Sequence, residues 1–128
     1  MEIVVKSTKQ IEHYQGPHAI PGIRFRPARE AMNVNAWGMN ILELDPHCSG
    51  HPEHDHTHDG QEEVYLVLEG SVVLVAEGVE RVLRQGDLVR VPPAVVRKLV
   101  TREVGATLLA IGGTPGKAYA PDPRMSAT

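Results

Sequence analysis

Apolar residues in this chain fall into short blocks cut apart by turn signals rather than into long stripes of helical period. Residues 37–44 make the first full block, which stops at Asp45-Pro46. Further blocks follow at 62–69, 71–76, 79–84, 88–91, 96–101 and 106–111. Gly70, Glu77-Gly78, Gln85-Gly86-Asp87 and Pro92-Pro93 separate them, and Glu77-Gly78 has the form of a hairpin turn. Ile3-Val4-Val5 reads as a short opening strand. At least seven strands and almost no helical periodicity predict an all-β sandwich or barrel. Residues 6–35 are irregular, with room for a helical turn over 28–32, and the segment from 114 to 128 is expected to be loosely held.

Side chains on the 62–69 strand alternate, so Glu63, Tyr65 and Val67 share one face, with Val64, Leu66 and Leu68 on the other. Glu62 is expected to face away from Glu63. Val72-Val73-Leu74-Val75 is apolar on both faces, so its outer face must be covered. The N-terminal segment or a second subunit are the candidates, and a homodimer is the expectation. Trp37 is expected in the core.

The chain is 128 residues long, which predicts one domain over 1–128 with a barrel core at about 36–112. A net charge of −3 gives no basic field for nucleic acid, and 4% aromatic residues leave little for stacking bases, so no nucleic-acid partner is expected. No apolar run approaches membrane-spanning length, and the first ten residues lack a secretory apolar core. Cys48 is the one cysteine, so no intrachain disulfide forms; a cytoplasmic location is expected.

Chemistry concentrates in one place. Five of the seven histidines lie between His47 and His58. His54, His56 and His58 are spaced by two, which on an extended backbone sends all three imidazoles to one face. Glu63 follows a turn at Asp59-Gly60, and a carboxylate beside two imidazoles is a ligand set for Zn, Fe, Mn or Ni with positions left open. His47 and His51 flank prolines and are expected to be exposed loop residues. No nucleophile elbow or phosphate-cradling glycine loop accompanies the cluster.

The spacing Gly50, five residues, His56-Thr57-His58, four residues, Glu63, six residues, Gly70 resembles the first motif of the cupins. The resemblance implies a double-stranded β-helix, or jelly-roll barrel, with His56, His58 and Glu63 directed into its mouth as ligands of a divalent transition metal. His54 is a possible fourth ligand. The second motif is degenerate: Gly86 and Pro92 fit, whereas Arg97 stands at the family's histidine, Ala94 at its glycine and Thr101 at its asparagine. A guanidinium keeps its proton and offers no lone pair, so Arg97 is not a metal ligand. Three arrangements remain open for it: an ion pair with Glu63 or Glu62, an outward swing, or a fork that holds an anionic substrate. Tyr65 is a second substrate-binding candidate. Two functions therefore stand side by side. One is a metal-dependent protein, such as an oxygenase or isomerase, acting on a small polar or anionic molecule. The other is a metal-free binding or regulatory module in which Arg97 replaces the metal ligand.

Overall fold

The computed structural model describes residues 2–122; the end of the tail expected to be loose, 123–128, lies outside the described residues. The strands are β1 (Ile23–Arg26), β2 (Gly38–Leu44), β3 (Glu62–Ala76), β4 (Val79–Arg84), β5 (Leu88–Val91), β6 (Arg97–Val100) and β7 (Ala106–Gly113), with one helical turn, α1 (Ala28–Ala31). Every pairing is antiparallel. The first sheet runs β1-β2-β7-β3-β5, and the second runs β4-β3-β6.

Both sheets share β3. The two blocks at 62–69 and 71–76 are one strand of 15 residues, and Gly70 bends it without ending it. Gly70 has φ 77°, a conformation that side chains rarely adopt, and a Cβ there would collide with the Gly105 carbonyl oxygen. Up to Gly70 the strand pairs with β7 and β5; beyond it, with β4 and β6. The two sheets contribute to a single core, with Leu42, Val67, Val72, Leu74, Leu83, Leu99 and Leu108 among its buried residues. Among the described strands no hydrogen-bonded pair joins β1 or β5 to β4 or β6, so the hydrogen-bonded ring does not close.

Two expectations are corrected. Ile3 and Val5 form no strand and are 91% and 85% exposed. The first strand is instead Ile23–Arg26, whose Arg24 and Arg26 both reach the buried carboxylate of Glu43 on β2. Trp37 is exposed, because β2 begins one residue later. Val72, Val73 and Leu74 are all buried within the single chain. On the first sheet a second cluster of Ile11, Ala28 and Ile41 shows the N-terminal segment supplying cover.

The end of the first sheet is built for close approach of side chains. Glu63 lies opposite Gly112, which in turn lies opposite Gly38. A Cβ at Gly112 would press on Gln61 and Glu63, and one at Gly38 would run into the Tyr119 ring. This glycine row lets the Gln61, Glu63 and Tyr119 side chains lie close against the sheet.

Candidate metal centre

Two backbone contacts hold the part of the histidine segment that carries His54 and His56. His54 and Arg97 exchange both hydrogen bonds, N–H to O at 3.1 Å and 2.9 Å, as an isolated antiparallel bridge. The His56 N–H donates to the Pro93 carbonyl at 2.8 Å. Residues 54–56 are therefore extended, and the imidazoles of His54 and His56 fall on one side. The extended run ends there, because the Gly60 N–H donates to the His56 carbonyl at 2.7 Å and closes a turn over 57–60. His58 rides on that turn with its side chain 75% exposed, and its Nε2 lies 3.4 Å from Asp59.

His54, His56 and Glu63 converge, with one ligand atom from each inside a 4.8 Å cluster. His56 Nε2 lies 3.4 Å from Glu63 Oε1, and His54 Nε2 lies 3.8 Å from it. Both distances are long for hydrogen bonds. They match the spacing of co-ligands, since bonds of about 2.1 Å in a tetrahedral site set donor atoms about 3.4 Å apart. His56 Nδ1 is 3.1 Å from Asp59 Oδ1, and His54 Nδ1 is 2.9 Å from the Pro52 carbonyl. With the ring protons donated to those acceptors, each neutral imidazole presents its Nε2 lone pair to the cluster. The donor set fits a divalent transition ion.

Tyr65 donates its hydroxyl to Glu63 Oε1 at 2.8 Å. Burial, and then the neighbouring carboxylate, push the phenol well above its ordinary range, so it stays a donor. Burial would raise Glu63, but the contacts from His54, His56 and Tyr65 outweigh it and hold the carboxyl well below the usual range. His56 is raised, chiefly by its contact with Glu63.

Arg97 begins β6 and is 0% exposed. Its guanidinium donates to the Val95 carbonyl at 2.9 Å and places a terminal nitrogen 3.3 Å from Glu63 Oε1. That nitrogen and Nε make no hydrogen bond. Arg97 takes the ion-pair arrangement with Glu63, whereas Glu62 faces outward and pairs with Arg90.

His51, expected on the surface, is buried. Its Nδ1 accepts the Leu99 N–H at 3.1 Å, so a neutral ring carries its proton on Nε2 and has no lone pair to offer a metal. Burial pulls its pKa down to about 4. Cys48 is likewise buried, its N–H donating to Thr101 Oγ1 at 2.9 Å.

A cavity of about 820 Å³ opens onto the cluster. His51, His54, His56, Glu63 and Tyr65 line its inner end, and Arg97 does not reach it. Tyr14, Phe25, Arg29, Asn40 and Tyr119 line the rest. The segment after β7 is held where it was expected to be loose: Thr114 Oγ1 donates to the Asp59 carbonyl at 2.8 Å, and the Arg29 guanidinium sits over the Tyr119 ring at 5.6 Å. Sequence reasoning missed Asp59, Arg29 and Tyr119. For Asp59 the signal was present, as an acid three residues after His56.

An antiparallel β-sandwich with a His/His/Glu cluster at the inner end of its cavity is the arrangement of a β protein of the cupin type. The cupin domain family matches residues 40–111, and the chain belongs to that family. No curated protein matches it. Among solved structures, a sugar phosphate isomerase of the cupin superfamily from Silicibacter pomeroyi is 25% identical. That match covers 91% of this chain and 80% of the other, with a TM-score of 0.74. A Cupin 2 conserved barrel domain protein from Salinispora arenicola is 19% identical, covering 90% of this chain and 92% of the other, with a TM-score of 0.71. The polyketide cyclase from Streptomyces resistomycificus is 15% identical over 98% of this chain and 91% of its own, with a TM-score of 0.73. The last two likenesses are of fold.

Proposed function

We propose that this cupin holds a divalent transition metal through His54, His56 and Glu63 and binds a small polar or anionic molecule in the adjoining cavity. The observation that carries the proposal is the pair of Nε2 atoms at co-ligand spacing from Glu63 Oε1, each ring fixed from its far side. Zn, Fe, Mn and Ni all suit imidazole and carboxylate donors. When bound, such an ion supplies Lewis acidity toward an oxygen of the ligand. The chain's own residues do the rest. Asp59 and the Pro52 carbonyl fix the rings, Tyr65 orients the Glu63 carboxylate, and Arg29, Asn40 and Tyr119 shape the space for the ligand. The Silicibacter pomeroyi protein, a sugar phosphate isomerase by name, supports a small phosphorylated or hydroxylated molecule as the substrate class and isomerisation as the reaction type.

Metal content of protein purified without chelator tests the proposal. About one ion per chain is expected in the wild type and in His58→Ala, and loss of uptake in His54→Ala and His56→Ala. Wild-type protein that refuses Zn, Fe, Mn and Ni, or retention by His54→Ala with loss by His58→Ala, overturns it.

The ion pair of Arg97 with Glu63 favours a second reading, in which the guanidinium supplies the positive charge and the cavity works without metal. That reading expects ligand-induced stabilisation of the same size before and after chelator treatment.

A further inference from the structure

Arg97 is the least ordinary group near the cluster. It is fully enclosed and lies against a proposed ligand, yet it is absent from the cavity wall. It therefore cannot clamp a substrate with its fork, as a residue at the cavity surface would. What it projects into the centre is charge. The guanidinium answers the charge of Glu63, and an imidazole that ligates through a lone pair brings no charge of its own. A divalent ion held at His54, His56 and Glu63 thus has little of its charge offset by its own ligands, and the next acid, Asp59, stands behind the His56 ring. Behind the ion, the enclosed guanidinium of Arg97 has two nitrogens that make no hydrogen bond. In front of it lies the open cavity.

Resting on the metal-binding reading above, we propose that Arg97 makes this centre a joint site for a cation and an anion, so that the metal carries an anionic oxygen ligand, a carboxylate or phosphate, on its cavity side. Arg97 is a positioning residue here: it touches neither the cavity nor the ligand. Its like charge lowers the affinity for the metal alone, and an anion entering from the cavity restores it. The two ligands bind with positive coupling, each strengthening the other by the same factor. The His54–Arg97 bridge adds rigidity, because the backbone of one proposed ligand is fixed by the residue that carries the charge.

Titration of the chelator-treated protein with Co²⁺, followed by the visible absorption of the bound ion, tests this. Buffers contain perchlorate as the sole small anion, or perchlorate plus millimolar formate. For the wild type, formate is expected to tighten Co²⁺ binding by about tenfold or more and to shift the absorption bands. For Arg97→Gln, Co²⁺ binding without formate is expected to tighten by a similar factor, because a like charge a few ångströms away has been removed. The formate effect then shrinks to within about twofold. Arg97→Lys, which keeps the charge without the fork, is expected to retain the formate dependence. Co²⁺ binding in the wild type that formate leaves unchanged in affinity and spectrum overturns the inference and spares the metal site. Equal formate dependence in the wild type and a folded Arg97→Gln does the same. If wild type and Arg97→Gln both refuse Co²⁺, the metal site fails and takes this inference with it.

Discussion

Removing the charge of Glu63 is expected to destabilise the protein through Arg97, independently of any metal. The guanidinium is fully enclosed, and Glu63 Oε1, 3.3 Å away, is the acid paired with it. At that separation and an effective dielectric near 20 the attraction is about 5 kcal/mol. Deleting one member of a buried pair typically costs about 3–5 kcal/mol, because the survivor stays buried without its partner. Glu63→Gln keeps the side-chain shape and an oxygen for the Tyr65 hydroxyl, so it isolates the charge. For a chain of this size the loss corresponds to a Tm lower by roughly 10–20 °C. Urea unfolding of chelator-treated protein, followed by circular dichroism, gives the free energy. Glu63→Gln, Arg97→Met and the double variant complete a cycle, and the double is expected to be less destabilised than the sum of the singles by at least about 2 kcal/mol. Singles that add to within about 0.5 kcal/mol would refute the ion pair as the source of the effect.

Three further outcomes are expected. Acidification from pH 7 to 4 should weaken the fold through His51, which is neutral when buried with its pKa near 4 and is protonated in the unfolded chain below about 6.5. This contribution, about 3 kcal/mol, is present above pH 6.5 and lost as pH falls; His56 in the metal-free protein has the opposite sign, so the difference between wild type and His51→Gln across that window measures His51 alone. Gly70→Ala should cost at least about 2 kcal/mol in urea unfolding, since a Cβ meets the Gly105 carbonyl in a left-handed backbone; a neutral substitution there would show that β3 bends elsewhere. Arg29→Ala should expose the segment around Tyr119 to limited proteolysis without lowering the core stability by more than about 1 kcal/mol, which unchanged cleavage would contradict.

The strands from Gly38 to Gly113 were legible in the alternation and turn signals, because their pattern and packing agree. Ile23–Arg26 alternates in the same manner, but Pro21-Gly22 before it and Pro27 after it masked four residues whose arginines answer Glu43 and Asp45 across the pair. At the site, period-two spacing grouped His54, His56 and His58; the structure brings His54 and His56 to Glu63 and sets His58 beside His56 and Asp59. Spacing reports a face only while the backbone stays extended, and the turn closed by Gly60 begins immediately after His56. The family motif aligns His56 and His58 with Glu63, whereas the geometry sets His54 and His56 around Glu63 and His58 with His56 and Asp59; the metal-content comparison decides between them. Burial of His51 and Arg97 was beyond local reading, since it depends on the loop lying against β6, a contact made across more than 40 residues of chain.

The position of β7 has a consequence for how the protein comes into being. Residues 106–113 fill the slot between β2 and β3, so both strands show a bare polar edge until this late stretch of chain leaves the ribosome. Until then, nascent chains on one messenger face each other with unpaired ladders of Ile, Leu and Val, the condition under which strands join the wrong neighbour. Slow translation before codon 106 should therefore lower the soluble yield, and a holdase chaperone should restore it.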